Sequence, residues 1–217
     1  MSWRALREAR RYVAGALVAD VCFALLGRSR RAGWLSAGTT LAGLLFFRDP
    51  ERPLQAEADT VYASADGVIV GVDEVEDEWM AGPALRLSTF LSIHNVHVIR
   101  SPLGGRVAAE EQIDGGFAPA FLGRRSGANL RRRLLIDAGQ DEVVLVQIAG
   151  MLARKITSWT HVDAGVSAGQ RVGLIHLGSR TEIMVPAARY EALVKPGQRV
   201  KAGVTPVARS VPGGAES

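Results

Sequence analysis

A glycine followed by a serine, Gly178-Ser179, separates two apolar runs at 172–175 and 183–185. This order predicts a strand, a tight turn and a second strand, with Ser179 at the turn. Because glycine has no Cβ, the peptide at Gly178 can adopt a strained conformation, and the serine hydroxyl can approach the Gly178 carbonyl. The pair therefore permits attack of a side chain on its own backbone, although a Gly-Ser pair alone predicts only an ordinary turn.

The residues that could assist such an attack lie far upstream. A serine hydroxyl is a weak nucleophile, and it needs a base that is oriented by a third group. Asp66 stands in a polar stretch before a glycine, where aspartate is typical of turns. His94 and His97 lie three residues apart, and their β-branched neighbours disfavour a helix. On a strand this spacing directs the two imidazoles to opposite faces, which argues against a paired metal site.

Five short segments carry the most specific pattern in the chain. They are FFRDPER at 46–52, SADG at 64–67, FLSIHNVHVIRSP at 90–102, QIAG at 147–150 and LGS at 177–179. Together, and in this order, they resemble the phosphatidylserine decarboxylases, in particular the short form of bacteria and archaea. The similarity extends from about residue 46 to about residue 208, which is most of the chain.

The resemblance implies a proenzyme that cleaves itself between Gly178 and Ser179. The Ser179 hydroxyl attacks the Gly178 carbonyl, and elimination then leaves a pyruvoyl group at the new amino terminus. The products are a β subunit, residues 1–178, and an α subunit, residues 179–217, which form a heterodimer. The family's catalytic aspartate and histidine match Asp66 and His97, and with the serine they follow the logic of a catalytic triad.

The resemblance also implies the reaction. The pyruvoyl group forms a Schiff base with the amine of phosphatidylserine, carbon dioxide leaves, and phosphatidylethanolamine is the product. His97 is the first candidate for the acid that protonates the product carbon. The mechanism requires no external cofactor and no metal ion. A threonine head group stays open as an alternative to serine.

Four further residues are candidates for substrate binding. Arg180 follows the serine as in the short form, and its guanidinium could contact the substrate carboxylate or phosphate. Asn129 matches a Ser-x-x-Asn-Glu-Arg stretch of the family, which here has leucine in place of glutamate. Arg100 stands where longer members have a second histidine, and Asn95 stands where an aspartate is usual.

The stretch 113–133 is glycine-rich and ends in three consecutive arginines at 131–133, so it predicts a loop. A run of like charges usually lies on a solvated face. Guanidinium groups also pair well with phosphate oxygens, so the run could instead bind the phosphate of a lipid. Both interpretations stay open in the sequence.

Composition limits the classes of partner. The chain has 217 residues, 47% hydrophobic and 22% charged, which suits one folded domain with an appendage. A net charge of +4 favours an acidic partner such as an anionic membrane surface. Aromatic residues make up 6% and do not alternate with basic ones, which disfavours a nucleic-acid partner. Cys22 is the single cysteine, so an internal disulfide framework is excluded.

The amino-terminal region, residues 1–52, predicts a membrane anchor. Apolar runs at 12–26 and 32–47 are flanked by arginines, and each is shorter than the roughly 20 residues that span a bilayer. We expect a helical hairpin in the membrane interface, peripheral or monotopic, on the cytoplasmic face, where anionic lipids attract arginine. A buried hairpin of a soluble protein stays open as the alternative.

The remaining chain predicts a mainly β (α+β) fold. We expect a catalytic domain at 53–209, a short helix at 151–157 and a disordered tail at 210–217. Two stretches, 166–173 and 194–203, share Gly-Gln-Arg-Val, and each predicts a turn that leads into a strand. Such a repeat is typical of barrel-sandwich-hybrid folds, so the carboxy-terminal part is predicted to be of that type.

Two other functions compete with the decarboxylase. A membrane-tethered binding module of barrel-sandwich-hybrid type would stay a single chain and would not depend on His97. A zinc hydrolase would use His94 and His97 and would need a further ligand, for which His161 and His176 lack characteristic spacing.

Overall fold

The computed structural model describes residues 3–25, 34, 38, 40, 41, 43, 45–116, 129–150, 155–176 and 179–211. The chain divides into two compact units, residues 1–51 and 52–217. The first unit contains helix α1, Trp3–Leu25, and the described residues between 34 and 46 are also helical. Within these described parts, no helix combines the length and the apolar character that a bilayer crossing requires.

The second unit is built from strands, which confirms the predicted mainly β class. The strands are β1 Thr60–Tyr62, β2 Gly67–Val75, β3 Ala84–Leu91, β4 Val98–Arg100, β5 Gly105–Ile113, β6 Arg131–Asp137, β7 Glu142–Ile148, β8 Ile156–Ser158, β9 Gly165–Val166, β10 Arg171–Ile175, β11 Ser179–Pro186, β12 Tyr190–Ala192, β13 Arg199–Val200 and β14 Pro206–Ser210.

Eight strands form one curled antiparallel sheet in the order β13-β2-β3-β11-β7-β6-β5-β9. Side chains alternate between its two faces, as the strand period requires. The inner face carries the main core, with Leu87, Leu134, Leu145 and Ile183 among its fully or almost fully buried members. The outer face carries a smaller cluster of apolar residues around Val144, Val146, Ile148 and Met184.

Strand β11 lies near the middle of this sheet, between β3 and β7, and it starts at Ser179. The sequence predicted Ser179 at a turn and a strand only at 183–185. The strand is longer because Arg180 and Glu182 project to the outer face, where Arg180 pairs with Glu182 at 2.6 Å. Their charges interrupt the apolar run, although their backbones pair with both neighbouring strands.

Two smaller sheets complete the unit, in the orders β4-β10-β8 and β1-β14-β12. Strand β10 brings 171–175 against 98–100, so the chain just before Ser179 lies beside the chain just after His97. The two Gly-Gln-Arg-Val stretches form matching turns, as predicted. Gly169 and Gly197 have φ of 74° and 91°, and each following glutamine accepts a backbone hydrogen bond from the residue three positions earlier, at 2.9 and 2.5 Å.

The predictions for 113–133 and for 151–157 were partly wrong. The three arginines belong to β6, and Arg132 and Arg133 are 1% and 6% exposed, so they do not lie on a solvated face. Arg133 is on the outer face, where its guanidinium bonds Asp77 at 2.6 Å and stacks on the Trp79 ring. Residues 156–158 form a strand instead of a helix. The stretches 117–128 and 151–154 and the tail at 212–217 lie outside the described residues.

Candidate active site

Ser179 is the centre of the candidate site. It is fully buried at the first position of β11, opposite Leu91 of β3, and its side chain belongs to the inner face. Its Oγ has no hydrogen-bond partner among the described residues. A buried hydroxyl without a partner is costly, so such groups are often reserved for chemistry. Gly178, the other half of the predicted cleavage pair, lies outside the described residues.

His97 lies directly before β4 and is fully buried. Its carbonyl accepts the backbone N–H of Ile175 at 3.2 Å, which holds it beside the end of β10 and four residues before Ser179. The ring Nδ1 is 2.9 Å from the carbonyl of Asn95. In the neutral imidazole this bond requires the proton on Nδ1, so Nε2 carries the lone pair that a general base needs.

Asp66 closes the turn between β1 and β2 and is 8% exposed. Its carboxylate accepts hydrogen bonds from both terminal nitrogens of Arg52, at 2.5 and 2.8 Å, and from the backbone N–H of Ala202 at 2.9 Å. Within the described part of the chain, the hydrogen bonds to the Asp66 carboxylate therefore come from Arg52 and Ala202, and not from the imidazole of His97. Sequence reasoning missed Arg52, which lies in the conspicuous FFRDPER segment.

Ser64 connects the parts of the site through hydrogen bonds. The sequence analysis did not single it out as an individual residue. Its hydroxyl bonds Thr181 Oγ1 at 3.2 Å, which links the turn of Asp66 to β11, two residues from Ser179. Its carbonyl accepts the N–H of Arg100 at 2.8 Å, which links the same turn to β4 beside His97. Ser64 therefore links the three segments that carry Asp66, His97 and Ser179.

Gly67 allows this junction to be compact. A Cβ on Gly67 would lie 2.1 Å from the carbonyl oxygen of Phe90, a distance that atoms cannot adopt without a shift of backbone. Gly67 follows Asp66 directly, and Phe90 precedes the residue opposite Ser179. The SADG segment therefore needs its glycine so that β2 and β3 can approach each other beside the site.

The four residues expected to bind substrate occupy different places. Arg180 lies on the outer face, opposite to Ser179, and donates to Ser88 Oγ at 2.9 Å. Asn95 accepts hydrogen bonds from the backbone and hydroxyl of Ser92, at 2.9 and 2.8 Å. Arg100 is buried and donates to the Gly169 carbonyl at 2.8 Å, and buried Asn129 donates to the Ala149 carbonyl at 2.9 Å. Each of these contacts serves the local fold.

A second buried imidazole lies close to Ser179 in the chain. His176 is 1% exposed, and its Nε2 is 3.2 Å from the Thr157 hydroxyl. His94, in contrast, is exposed in the turn before His97. Across the described residues, no three His, Cys, Asp or Glu side chains are grouped as metal ligands.

The fold is mainly β, and it buries the serine, histidine and aspartate that the sequence singled out. The family model for phosphatidylserine decarboxylase matches residues 41–208. A phosphatidylserine decarboxylase proenzyme of Symbiobacterium thermophilum is 42% identical over 197 residues, covering 90% of this chain and 91% of that protein. The proteins of the same description from Carboxydothermus hydrogenoformans and Nitrosomonas europaea are 40% and 39% identical, covering 76% and 83% of this chain and 78% and 83% of their own lengths.

The chain therefore belongs to the phosphatidylserine decarboxylase family. This membership confirms the resemblance read from the five segments. It also favours the decarboxylase over the binding module and the zinc hydrolase, since relatives that match most of this chain are described as decarboxylase proenzymes.

Proposed function

We propose that this chain is a phosphatidylserine decarboxylase proenzyme that cleaves itself between Gly178 and Ser179. The observation that carries the proposal is Ser179 itself. It is a fully buried serine whose hydroxyl has no hydrogen-bond partner among the described residues, at the first position of a strand in a family of proenzymes. A structural serine in that position would normally use its hydroxyl in a hydrogen bond.

Self-cleavage follows from the attack of Ser179 Oγ on the carbonyl carbon of residue 178. The Oγ proton is accepted by a base, and the amide becomes an ester after the Ser179 nitrogen takes a proton. Loss of the Ser179 Hα and cleavage of the Cβ–Oγ bond release residues 1–178 with a carboxylate terminus. The dehydroalanine left at 179 takes up water and loses ammonia, which gives the pyruvoyl terminus. We assign the base to His97, since its Nδ1 bond to the Asn95 carbonyl leaves the lone pair on Nε2.

A pyruvoyl group suits the position of Ser179. The residue is fully buried on the inner face, so a ketone at this position is shielded from bulk water. When present, the pyruvoyl group supplies a carbonyl that condenses with the substrate amine and accepts the electron pair left by carbon dioxide. His97 then has a second task, which is to hold the proton that the product carbon receives.

We propose Arg52 as the residue that orients the Asp66 carboxylate. The bidentate pair is 11% and 12% exposed, so the attraction is only partly screened by solvent. The Asp66 carboxylate in turn places a negative charge in the turn that Ser64 connects to β11. This charge favours the protonated imidazole that forms when His97 accepts the serine proton, without a direct hydrogen bond.

We further propose that residues 1–51 bind the substrate membrane from the cytoplasmic face. Helix α1 exposes Leu17, Val18, Val21 and Leu25, between 55% and 82%. Exposed apolar residues on a helix that starts in an arginine-rich segment suit binding in the interface of an anionic bilayer. The two products of cleavage stay together as a heterodimer, because β11 of the α subunit pairs with β3 and β7 of the β subunit.

The proposal is tested with detergent-purified protein and radiolabelled phosphatidylserine. Wild-type protein is expected to run as two chains and to release carbon dioxide, and Ser179→Ala is expected to run as one chain without activity. A single-chain protein that decarboxylates phosphatidylserine would refute the pyruvoyl mechanism.

A further inference from the structure

A row of polar residues crosses the otherwise apolar inner face of the large sheet. Arg132 lies opposite Gln147, which lies opposite Thr181, which in turn lies opposite Thr89. The next row along the same face is formed by Leu134, Leu145, Ile183 and Leu87, all of them buried. A polar row inside a core is expensive unless each polar atom has a partner.

Arg132 and Gln147 lack partners for most of their polar atoms. Arg132 is 1% exposed, and its Nε donates to Glu110 at 2.6 Å, but neither Nη1 nor Nη2 has a hydrogen-bond partner among the described residues. Gln147 is fully buried, and both its Oε1 and its Nε2 lack partners within the same part of the chain. Two of the three guanidinium nitrogens and a whole amide are therefore buried without a hydrogen-bond partner in the described part of the chain.

These atoms are grouped at one place, next to Gly173 of β10. A Cβ on Gly173 would lie 3.1 Å from Gln147 Oε1 and 3.7 Å from Arg132 Nη1. It would also lie 2.6 Å from the carbonyl oxygen of Thr157, so only glycine fits at this position. The two side chains therefore converge on one point between the large sheet and β10.

Gln147 lies close to Ser179, and Arg132 lies one strand further away, on β6. Thr181 is opposite Gln147, and Ser179 is the preceding inner-face residue on β11. Diagonal neighbours of this kind have Cα atoms about 7–8 Å apart. The other edge of the guanidinium faces Glu110, whose side chain is 27% exposed, so the site is one side chain from the surface.

We propose that Arg132 and Gln147 form an oxyanion site that holds the phosphodiester of the substrate head group. A guanidinium presents two parallel N–H donors that match two phosphate oxygens, and the glutamine amide adds a third donor. This inference rests on the proposed function. For Arg132, it corresponds to the second interpretation that the sequence left open for the arginine run at 131–133, which is phosphate binding.

The phosphate suits this site better than the substrate carboxylate does. The carboxylate loses its charge as it becomes carbon dioxide, so an ion pair to it would stabilise the ground state more than the transition state. The phosphate keeps its charge throughout the reaction. Binding it therefore positions the amine at residue 179 without opposing the chemical step.

The test compares soluble amines with and without a phosphodiester. Glycerophosphoserine and L-serine are incubated with purified processed protein and cyanoborohydride, and the rate of amine attachment to the α subunit is followed by mass. Wild-type protein is expected to prefer glycerophosphoserine, with inorganic phosphate as a competitor. Arg132→Gln should reduce the glycerophosphoserine rate about 10- to 100-fold and leave the L-serine rate unchanged. Gln147→Met should lower the same preference by a smaller factor.

Arg86→Gln is the matched control, because Arg86 pairs with Asp73 on the outer face of the same sheet and should leave both rates unchanged. Arg132→Lys keeps the charge without the fork and should restore part of the preference. A preference that survives in Arg132→Gln, or equal losses for both amines, would overturn the proposal and assign Arg132 a structural role only.

A second measurement separates this site from the proposed function. The thermal midpoint is measured in inorganic phosphate and in chloride at equal ionic strength. Phosphate should raise the midpoint of wild-type protein more than that of Arg132→Gln. If wild-type protein attaches neither amine, the proposed function fails. The phosphate-dependent shift of the thermal midpoint then tests on its own whether Arg132 binds an oxyanion. Equal shifts in the two proteins would then overturn it, and a shift that depends on Arg132 would support it.

Discussion

At the scale of single residues, the chemistry depends on what surrounds three side chains. Ser179 is buried without a hydrogen-bond partner among the described residues, His97 is oriented by a backbone carbonyl, and Asp66 is held by Arg52. The serine, histidine and aspartate could be chosen from the sequence because they lie in segments that resemble one family. Arg52 could not be chosen, since its contacts with Asp66 and Ala202 join positions 14 and 150 residues apart.

The role of His97 predicts a sharp contrast with its neighbour. His97→Gln is expected to abolish self-cleavage, because no other assigned group accepts the serine proton. His94→Gln is the matched control, since this imidazole is exposed in the adjoining turn. Denaturing electrophoresis over time measures the cleaved fraction. Normal cleavage in His97→Gln, with loss of cleavage in His176→Gln, would contradict the assignment and indicate that His176 is the base.

The Arg52–Asp66 pair predicts a graded loss. Asp66→Asn is expected to slow self-cleavage by about 100-fold or more, because the charge that favours a protonated His97 is lost. Arg52→Gln should slow it less, since Asp66 keeps the Ala202 hydrogen bond. Asp73→Asn breaks a comparable pair with Arg86 on the outer face and should leave the rate unchanged. Equal rates in all of these proteins would contradict a role for the pair in processing.

At the scale of elements, the large sheet positions the site through close contacts between strands. The sequence predicted strands from the apolar runs at 172–175 and 183–185, and these runs lie in β10 and β11. It missed the first part of β11 and the start of β6 because charged residues occupy them. On the outer face, Arg180 pairs with Glu182, two residues away in the sequence, and Arg133 pairs with Asp77, 56 residues away. Only the first of these pairs is visible as a local pattern.

Gly67 allows a test of this close packing. Gly67→Ala is expected to lower the free energy of unfolding by about 2–3 kcal/mol, because its Cβ would collide with the Phe90 carbonyl. Gly71→Ala, on the same strand, meets only ordinary contacts at 3.6 Å and should change stability by less than about 1 kcal/mol. Urea unfolding of the two proteins measures the difference. A tolerant Gly67→Ala would show that β2 and β3 can separate there at little cost.

At the scale of the whole molecule, the chain combines a helical unit, residues 1–51, with a β unit that holds the site. The sequence predicted a domain boundary between residues 52 and 53, because prolines and charges interrupt the apolar pattern there. It could not predict which apolar residues of α1 would be exposed. That depends on packing within the unit, where Ala5, Ala9 and Ala16 are buried.

Membrane binding tests the proposed role of the helical unit. Replacement of Leu17, Val21 and Leu25 by glutamate is expected to reduce flotation with vesicles of phosphatidylserine and phosphatidylcholine by at least about tenfold. Val204→Glu, at an apolar position of the β unit that is 45% exposed, should leave flotation unchanged. Flotation that persists in the triple variant would place the membrane contact elsewhere in the chain.

The intact mass of the purified wild-type protein tests the central claim most directly. Two chains are expected, one ending at residue 178 and one beginning at residue 179. The second should be lighter by one ammonia than a chain that begins with serine, since a pyruvoyl group replaces that residue. A single species with the full mass of residues 1–217, in a preparation that releases carbon dioxide from phosphatidylserine, would contradict the account.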